Sequence, residues 1–178
     1  MSPMNRPKLP LATLVILYGA LVALVIVTNP RLPHRMASHF GIDGTPDGWM
    51  PRSAYSVFTL GMAALTAILC AGSFYLPRLL PDSAVNVPHR DYWLAPERRG
   101  EFYDRMASLG LWIACLTVAL FLGLHLLVAH ANQAVPVRLP ARESLGLVAA
   151  FLAALGGLIG TFVIRTIRIG ETMTEDIS

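Results

Sequence analysis

Charge is scarce in this chain: Asp, Glu, Lys and Arg make up 14% of its 178 residues, where an ordinary soluble domain carries about a quarter. That scarcity excludes a typical water-solvated globule. Cysteine is scarcer still. Cys70 and Cys115 both lie inside apolar blocks, where a thiol acts as a small hydrophobe, so a disulfide framework is excluded. No GxSxG, HExxH, P-loop or dinucleotide-binding pattern occurs, which leaves recognised catalytic chemistry without a motif. The basic excess is only +3, with a pI of about 9.2, and it is spread over the polar connections. It reads as topology information and not as a nucleic-acid footprint.

Apolar sequence is what the chain has in quantity, at 54% hydrophobic residues and a mean hydropathy of +0.56. It is gathered into four blocks, over 9–29, 54–76, 107–130 and 145–169. Each has the roughly 20 residues that span a ~30 Å hydrocarbon core as helix. The expectation is an all-α polytopic membrane protein, a four-helix transmembrane bundle in the lipid bilayer forming one transmembrane domain over 1–178. No stretch remains that could build a separate soluble core. The first block follows Arg6 and Lys8 but is longer than a signal-peptide core and ends in Thr28-Asn29-Pro30, so it is expected to stay as a span.

Ala63, Ala67 and Ala71 repeat every fourth residue in the second block, a small-residue face suited to helix contact. Gly156 and Gly160 form a GxxxG in the fourth, through which a homo-oligomer could pack. The loop after the second block carries Pro77, Pro81, Pro88 and Pro96. A helix is expected to start near Pro96 and to run on into the third block, with Glu101 and Arg105 as an i,i+4 pair. Tyr92 and Trp93 suit the headgroup region.

Basic residues set the orientation. Arg6, Lys8, Arg78, Arg90, Arg98, Arg99, Arg105, Arg165 and Arg168 fall on one side of the four spans, and Arg31, Arg35, Arg52, Arg138 and Arg142 on the other. The positive-inside rule places both termini and the loop between the second and third spans in the cytoplasm. The polar island Arg31–Ser53 then faces outward. His34, His39, His125 and His130 share that outer side, leaving only His89 within.

Inside the island, His39, Asp43 and Asp47 are spaced by four, but Gly41, Gly44, Pro46 and Gly48 argue against a helix. Asp43-Gly44 and Pro46-Asp47-Gly48 read as successive tight turns, with Asp bonding its own backbone and Gly supplying positive φ. DGTPDG imitates the front of a calcium loop, yet Thr45 and Ala54 occupy ligand positions, which excludes an EF-hand. Two readings stay open. One is a compact outer turn that binds a ligand through His39, Asp43, Asp47 and Trp49. The other is a divalent-metal site, zinc being the natural choice for imidazole and carboxylate, made by His39, Asp43, Asp47 and His125. On the first reading no cofactor is expected. In the inner loop, Asp91, Tyr92, Trp93 and Glu97 are candidates to contact a protein partner. Arg98, Arg99 and Arg105 surround its acidic residues, as in a salt-bridged cuff.

The run LPHRMASHFGIDGTPDGW, through Leu32, Pro33, His39, Phe40, Gly44, Pro46, Asp47 and Gly48, resembles the signature of an uncharacterised bacterial membrane domain. That domain forms the N-terminal part of SdpI-like proteins, which include immunity and signalling proteins for a secreted toxin. Met36 stands where that pattern has a proline. NVPHRDYWLAPERR, through Asn86, Pro88, Asp91, Tyr92, Trp93, Pro96 and Glu97, is similar to the loop after the second span in some members. The resemblance implies a multi-pass protein of the bacterial cytoplasmic membrane, acting as a non-enzymatic sensor, regulator or immunity-type factor, and supplies no catalytic residues. The competing class is a metal-dependent membrane enzyme or small transporter using His39 and His125.

Overall fold

A computed structural model describes residues 7–175, with side chains through 169. Arg6 of the charge count and the end of the acidic tail lie outside the described residues. The chain is an all-α polytopic membrane protein. Its elements are α1 (Lys8–Thr28), β1 (Arg35–Phe40), β2 (Pro46–Pro51), α2 (Arg52–Tyr75), a single turn α3 (Arg90–Trp93), α4 (Arg99–Gln133) and α5 (Ala141–Glu175), with short 3-10 turns at Asn29–Arg31, Leu76–Leu79 and Asp82–Ala84. Four stretches, Lys8–Arg31, Arg52–Leu79, Arg99–Gln133 and Ala141–Ile169, are long and apolar enough to cross a membrane.

The expected spans match α1, α2, α4 and α5 to within a turn or two. Pro96 opens a turn in which the amides of Arg98 and Arg99 both donate to Ala95 O, and regular helix begins at Arg99. Once begun, α4 has no interior proline to stop it before Gln133. Glu101 and Arg105 pair as expected, at 2.6 Å.

Helix α4 is the shared wall of the bundle, packing against α1, α2 and α5. Leu21 and Val25 of α1, Ala63 and Ala67 of α2 and Ala114 and Val118 of α4 form one buried cluster. The alanines let the helix backbones approach closely, which is how apolar helices gain contact where lipid supplies no hydrophobic driving force. The small-residue face of α2 is therefore a contact within the bundle. Gly156 and Gly160 are different: nothing lies within 4 Å of where a Cβ would stand at either, so this GxxxG is not used inside the chain.

The island departs from the expected turn series. It is a two-stranded antiparallel hairpin in which Arg35 faces Pro51, Met36 faces Met50 and Ala37 faces Trp49, with register shifts on either side of His39. Only its tip is a turn. Gly44 has φ +80°, and the Asp43 carboxylate accepts from Thr45 N and Thr45 Oγ1 at 3.1 and 2.7 Å, as an Asp-Gly turn predicts. Pro46-Asp47-Gly48, expected as a second turn, is extended strand. Both prolines, Pro46 and Pro51, sit at strand ends of a hairpin that consists only of edges, where a missing N–H is tolerated.

A hairpin resting on apolar helix ends must still satisfy its backbone. Asn132 of α4 does this for β1: its Oδ1 accepts from Ala37 N at 2.8 Å and its Nδ2 donates to Ala37 O at 2.9 Å. A side-chain amide thus replaces the third strand of a sheet. Arg52 completes the attachment by donating from Nη1 to Asn29 O and Leu32 O at 3.0 and 2.9 Å, while its amide donates to His34 O. Leu32, Met36, Tyr55 and Ala129 close over the apolar side. Because Ala37 is fully buried, Asn132→Ala strands both a donor and an acceptor. We expect it to cost about 1–3 kcal/mol and to accelerate amide hydrogen exchange selectively over residues 35–40; unchanged protection there would show that Asn132 does not hold the strand.

Candidate functional site

The hairpin has two faces with different roles. Met36 is buried on the inner face and Ala37 at the edge that Asn132 covers, whereas β2 alternates so that Asp47, Trp49 and Pro51 are exposed. On the outer face His39 Nδ1 lies 2.5 Å from Asp47 Oδ1, with both side chains more than half exposed. Gly48 makes that geometry possible. It stands opposite His39, and a Cβ there would lie 2.8 Å from His39 Cβ, so any other residue would push the imidazole off the strand. Beside the pair, the Arg35 guanidinium stands 5.9 Å from the centroid of the Trp49 ring, within reach of a cation–π contact. One face thus offers a cation, an aromatic plane and an imidazole–carboxylate pair.

The tip of the hairpin is fixed from the other side of the chain. Arg138, in the connection between α4 and α5, donates from Nε and Nη2 to Asp43 O at 3.2 and 2.9 Å, and Leu139 N donates to Gly44 O at 2.9 Å. The Asp43 carboxyl is held below its ordinary value, first by the Thr45 hydroxyl and then by the Thr45 amide. Asp43 therefore serves the turn, and its carboxylate points into that turn's own donors.

Beneath the hairpin lies a buried polar chain. His125, 1% exposed, has Thr28 Oγ1 at 2.8 Å from Nε2 and Tyr55 Oη at 3.2 Å from Nδ1. Thr28 Oγ1 also lies 2.8 Å from Leu24 O, to which it can only donate. Its single proton is thereby committed, so Nε2 must carry the ring proton and donate to Thr28. Nδ1 has the Tyr55 hydroxyl as its partner. The imidazole is thus hydrogen-bonded at both nitrogens, and it ties α1, α2 and α4 together at one level. The intramembrane histidine faces the interior, as a polar group at that depth should.

The structure therefore pairs His39 with Asp47, places Trp49 beside them, and gives Asp43 and His125 separate partners. It does not bring His39 and His125 together. Among the described residues no group of three or more His, Cys, Asp or Glu is gathered closely enough to hold a metal ion. In the loop between α2 and α4, Asp91 and Glu97 are exposed and Tyr92 is half-buried under the Arg98 guanidinium, 4.1 Å from its ring. Trp93 differs from expectation. It is 1% exposed, donates from Nε1 to Thr166 O at 3.2 Å and packs with Val85, Phe102 and Tyr103. Burial of the large ring, with an acceptor for its indole on α5, removes Trp93 from the surface that a partner could touch.

Sequence reasoning missed Asn132, Tyr55 and Arg52. An amide side chain near the end of an apolar helix was the available signal for Asn132, since such a group must find partners.

Residues 14–65 match the model of DUF1648, a domain of unknown function. The match runs from α1 through the hairpin into the first half of α2, so it includes Thr28, His39, Asp47, Trp49 and Tyr55. No curated protein and no solved structure matches the chain.

The Asp43 turn carries a pH signature. A depressed carboxyl pKa contributes stability that is present above the ordinary carboxylate value and is lost as pH falls through the lowered one. The tip should hold at neutral pH and loosen only in acid. Thr45→Val should raise the Asp43 pKa back toward the ordinary value in an NMR titration of the side-chain carboxyl; an unmoved pKa would remove Thr45 as the cause.

Proposed function

We propose that the protein is a non-enzymatic sensor, regulator or immunity-type factor of the bacterial cytoplasmic membrane, and that the outer face of its hairpin is the recognition surface. One observation carries this reading: Arg35, His39, Asp47 and Trp49 are exposed together on a hairpin whose other face is fixed by buried bonds. Side chains that do no packing, held on a backbone that does, are the arrangement a binding surface requires. The DUF1648 match over residues 14–65 and the resemblance of LPHRMASHFGIDGTPDGW to SdpI-like proteins support the same class. In this reading both termini are cytoplasmic and the hairpin is outside, as the distribution of Lys and Arg favours. Asp91, Tyr92 and Glu97 are then available to an inner partner.

Two measurements test it. Ile42 at the hairpin tip and Glu97 in the other loop are exposed, and both native cysteines lie in membrane-spanning helices. Ile42→Cys should react with a membrane-impermeant maleimide in intact cells and Glu97→Cys only after permeabilisation; the reverse pattern would invert the topology and remove the hairpin from the outside. In a deletion strain, His39→Gln/Asp47→Asn and Trp49→Ala should fail to restore the wild-type transcript profile while reaching wild-type abundance in the membrane. Full restoration by both would end the role of this face.

A further inference from the structure

Helices α1 and α2 both lie along α4 but touch each other little. They are joined where Tyr18 Oη donates to Leu60 O at 3.2 Å, and from that bond to Pro7, at the end of the bundle away from the hairpin, a cleft opens between them. Its upper part is a cavity of about 420 Å³ between Leu14, Val15 and Gly19 of α1 and Ala64 and Ala67 of α2. Its lower part, of about 520 Å³, runs on past Ile68, which lines both, between Leu11 and Gly72 and over Ala107 and Leu111 of α4. Nothing lies within 4 Å of where a Cβ would stand at Gly19 or Gly72, so the chain does not fill the space beside them. Tyr18 and Pro7 are eleven residues apart, about 16 Å along a helix. That is the depth of one leaflet of a ~30 Å hydrocarbon core.

The mouth of the cleft is polar in a particular way. Arg78, in the 3-10 turn after α2, pairs with Asp104 of α4, and both side chains stay more than a third exposed. The Arg78 guanidinium also lies 5.6 Å from the centroid of the Tyr75 ring. The contact joins Arg78 Nη2 to Asp104 Oδ1; a guanidinium has five N–H donors and a carboxylate a second oxygen, so each group keeps capacity for a further partner. One positive and one negative group thus stand side by side where the hydrocarbon part of the cleft ends.

We infer that this cleft holds a zwitterionic phospholipid with a primary ammonium, of the phosphatidylethanolamine class. The phosphate accepts from Arg78, the ammonium donates to Asp104, and an acyl chain lies along Leu11, Leu14 and Ile68 as far as the bond between Tyr18 and Leu60. Charge complementarity selects this occupant. Phosphatidylglycerol gives Arg78 a phosphate but brings no cation to Asp104. Phosphatidylcholine brings a cation without an N–H to donate, and the ring of Tyr75, which could hold a quaternary ammonium, already carries Arg78. An apolar helix from a second copy of the chain would fill the hydrocarbon part and leave the charged pair unused.

The test is native mass spectrometry of the full-length protein in detergent, equilibrated with equal amounts of phosphatidylethanolamine, phosphatidylglycerol and phosphatidylcholine of the same acyl chains. Wild-type protein should retain phosphatidylethanolamine about tenfold better than phosphatidylcholine, the size expected for a hydrogen bond to a charged group, and better than phosphatidylglycerol. Asp104→Ala should remove the preference over phosphatidylcholine. Gly72→Leu, whose side chain enters the open space of the cleft, should lower the retention of all three lipids. The headgroup comparison on wild type needs no variant and decides the matter even if a substitution impairs folding. Equal retention of phosphatidylethanolamine and phosphatidylcholine, a preference for phosphatidylglycerol, retention unchanged by Gly72→Leu, or a lipid-free wild-type dimer that Gly72→Leu separates would each overturn the assignment.

Discussion

A strand of backbone laid against the ends of apolar helices has amide groups that lipid cannot satisfy, and the pairing of Asn132 with Ala37 answers that constraint. Both bonds come from one side chain and go to one residue, at 2.8 and 2.9 Å, so the geometry fixes orientation as well as distance. A lone hairpin is marginal in water. Here its inner edge is completed by an amide rooted in a 35-residue helix, and its entry and exit are held by Arg52, which bonds the carbonyls of Asn29 and Leu32. The hairpin is thereby an extension of the bundle.

Helix α4 makes this possible because its faces do different work. Ala114, Val118, His125 and Asn132 recur at intervals of four and seven, which holds them within about 40° of one another along the helix. That stripe meets α1, α2 and the hairpin in turn: alanine where helices must come close, histidine where three helices meet, asparagine where backbone must be satisfied. Arg105, Leu109 and Trp112 form a second stripe facing α5. Little of α5 is buried. It meets α4 along that stripe and where Leu147 packs over Gly123, and it meets the inner loop at Trp93, whose indole bonds Thr166 O.

The parts legible in the sequence were those set by one-dimensional periodicity. Four apolar blocks near the span length foretold α1, α2, α4 and α5, and the alanine repeat in α2 foretold a packed face. Asp43-Gly44 foretold a turn with positive φ at Gly44, because that chemistry is local. The hairpin was not legible, because β1 does not alternate: Met36 and Ala37 are adjacent and both buried, a pattern set by the helix ends and Asn132 and not by the strand's own period. Pro46 and Gly48 read as breakers, yet in an edge strand one costs nothing and the other is needed opposite His39. The pairing of His39 with Asp47 follows from the register shift beside His39, which leaves Asp47 next to its Gly48 partner and which no spacing rule contained. The burial of Trp93 was not legible for a related reason: the acceptor that holds its indole is 73 residues away.

The two faces of the hairpin also differ in what it takes to move them. The inner face is held by several buried hydrogen bonds, each of which costs about 1–3 kcal/mol to leave unmade. On the outer face the His39–Asp47 pair is exposed, and pairs of that kind contribute about 0–1 kcal/mol because solvent competes for both groups. A ligand carrying a complementary group can therefore exchange partners with His39, Asp47 or Arg35 at little cost, while the backbone beneath stays where Asn132 and Arg138 hold it. Any force that did displace the strand would act on Asn132, about two helical turns from His125 on the same stripe of α4, where α1 and α2 are joined through Thr28 and Tyr55. The exposed contacts are the adjustable part of this design and the buried ones are the part that ties the hairpin to the helices.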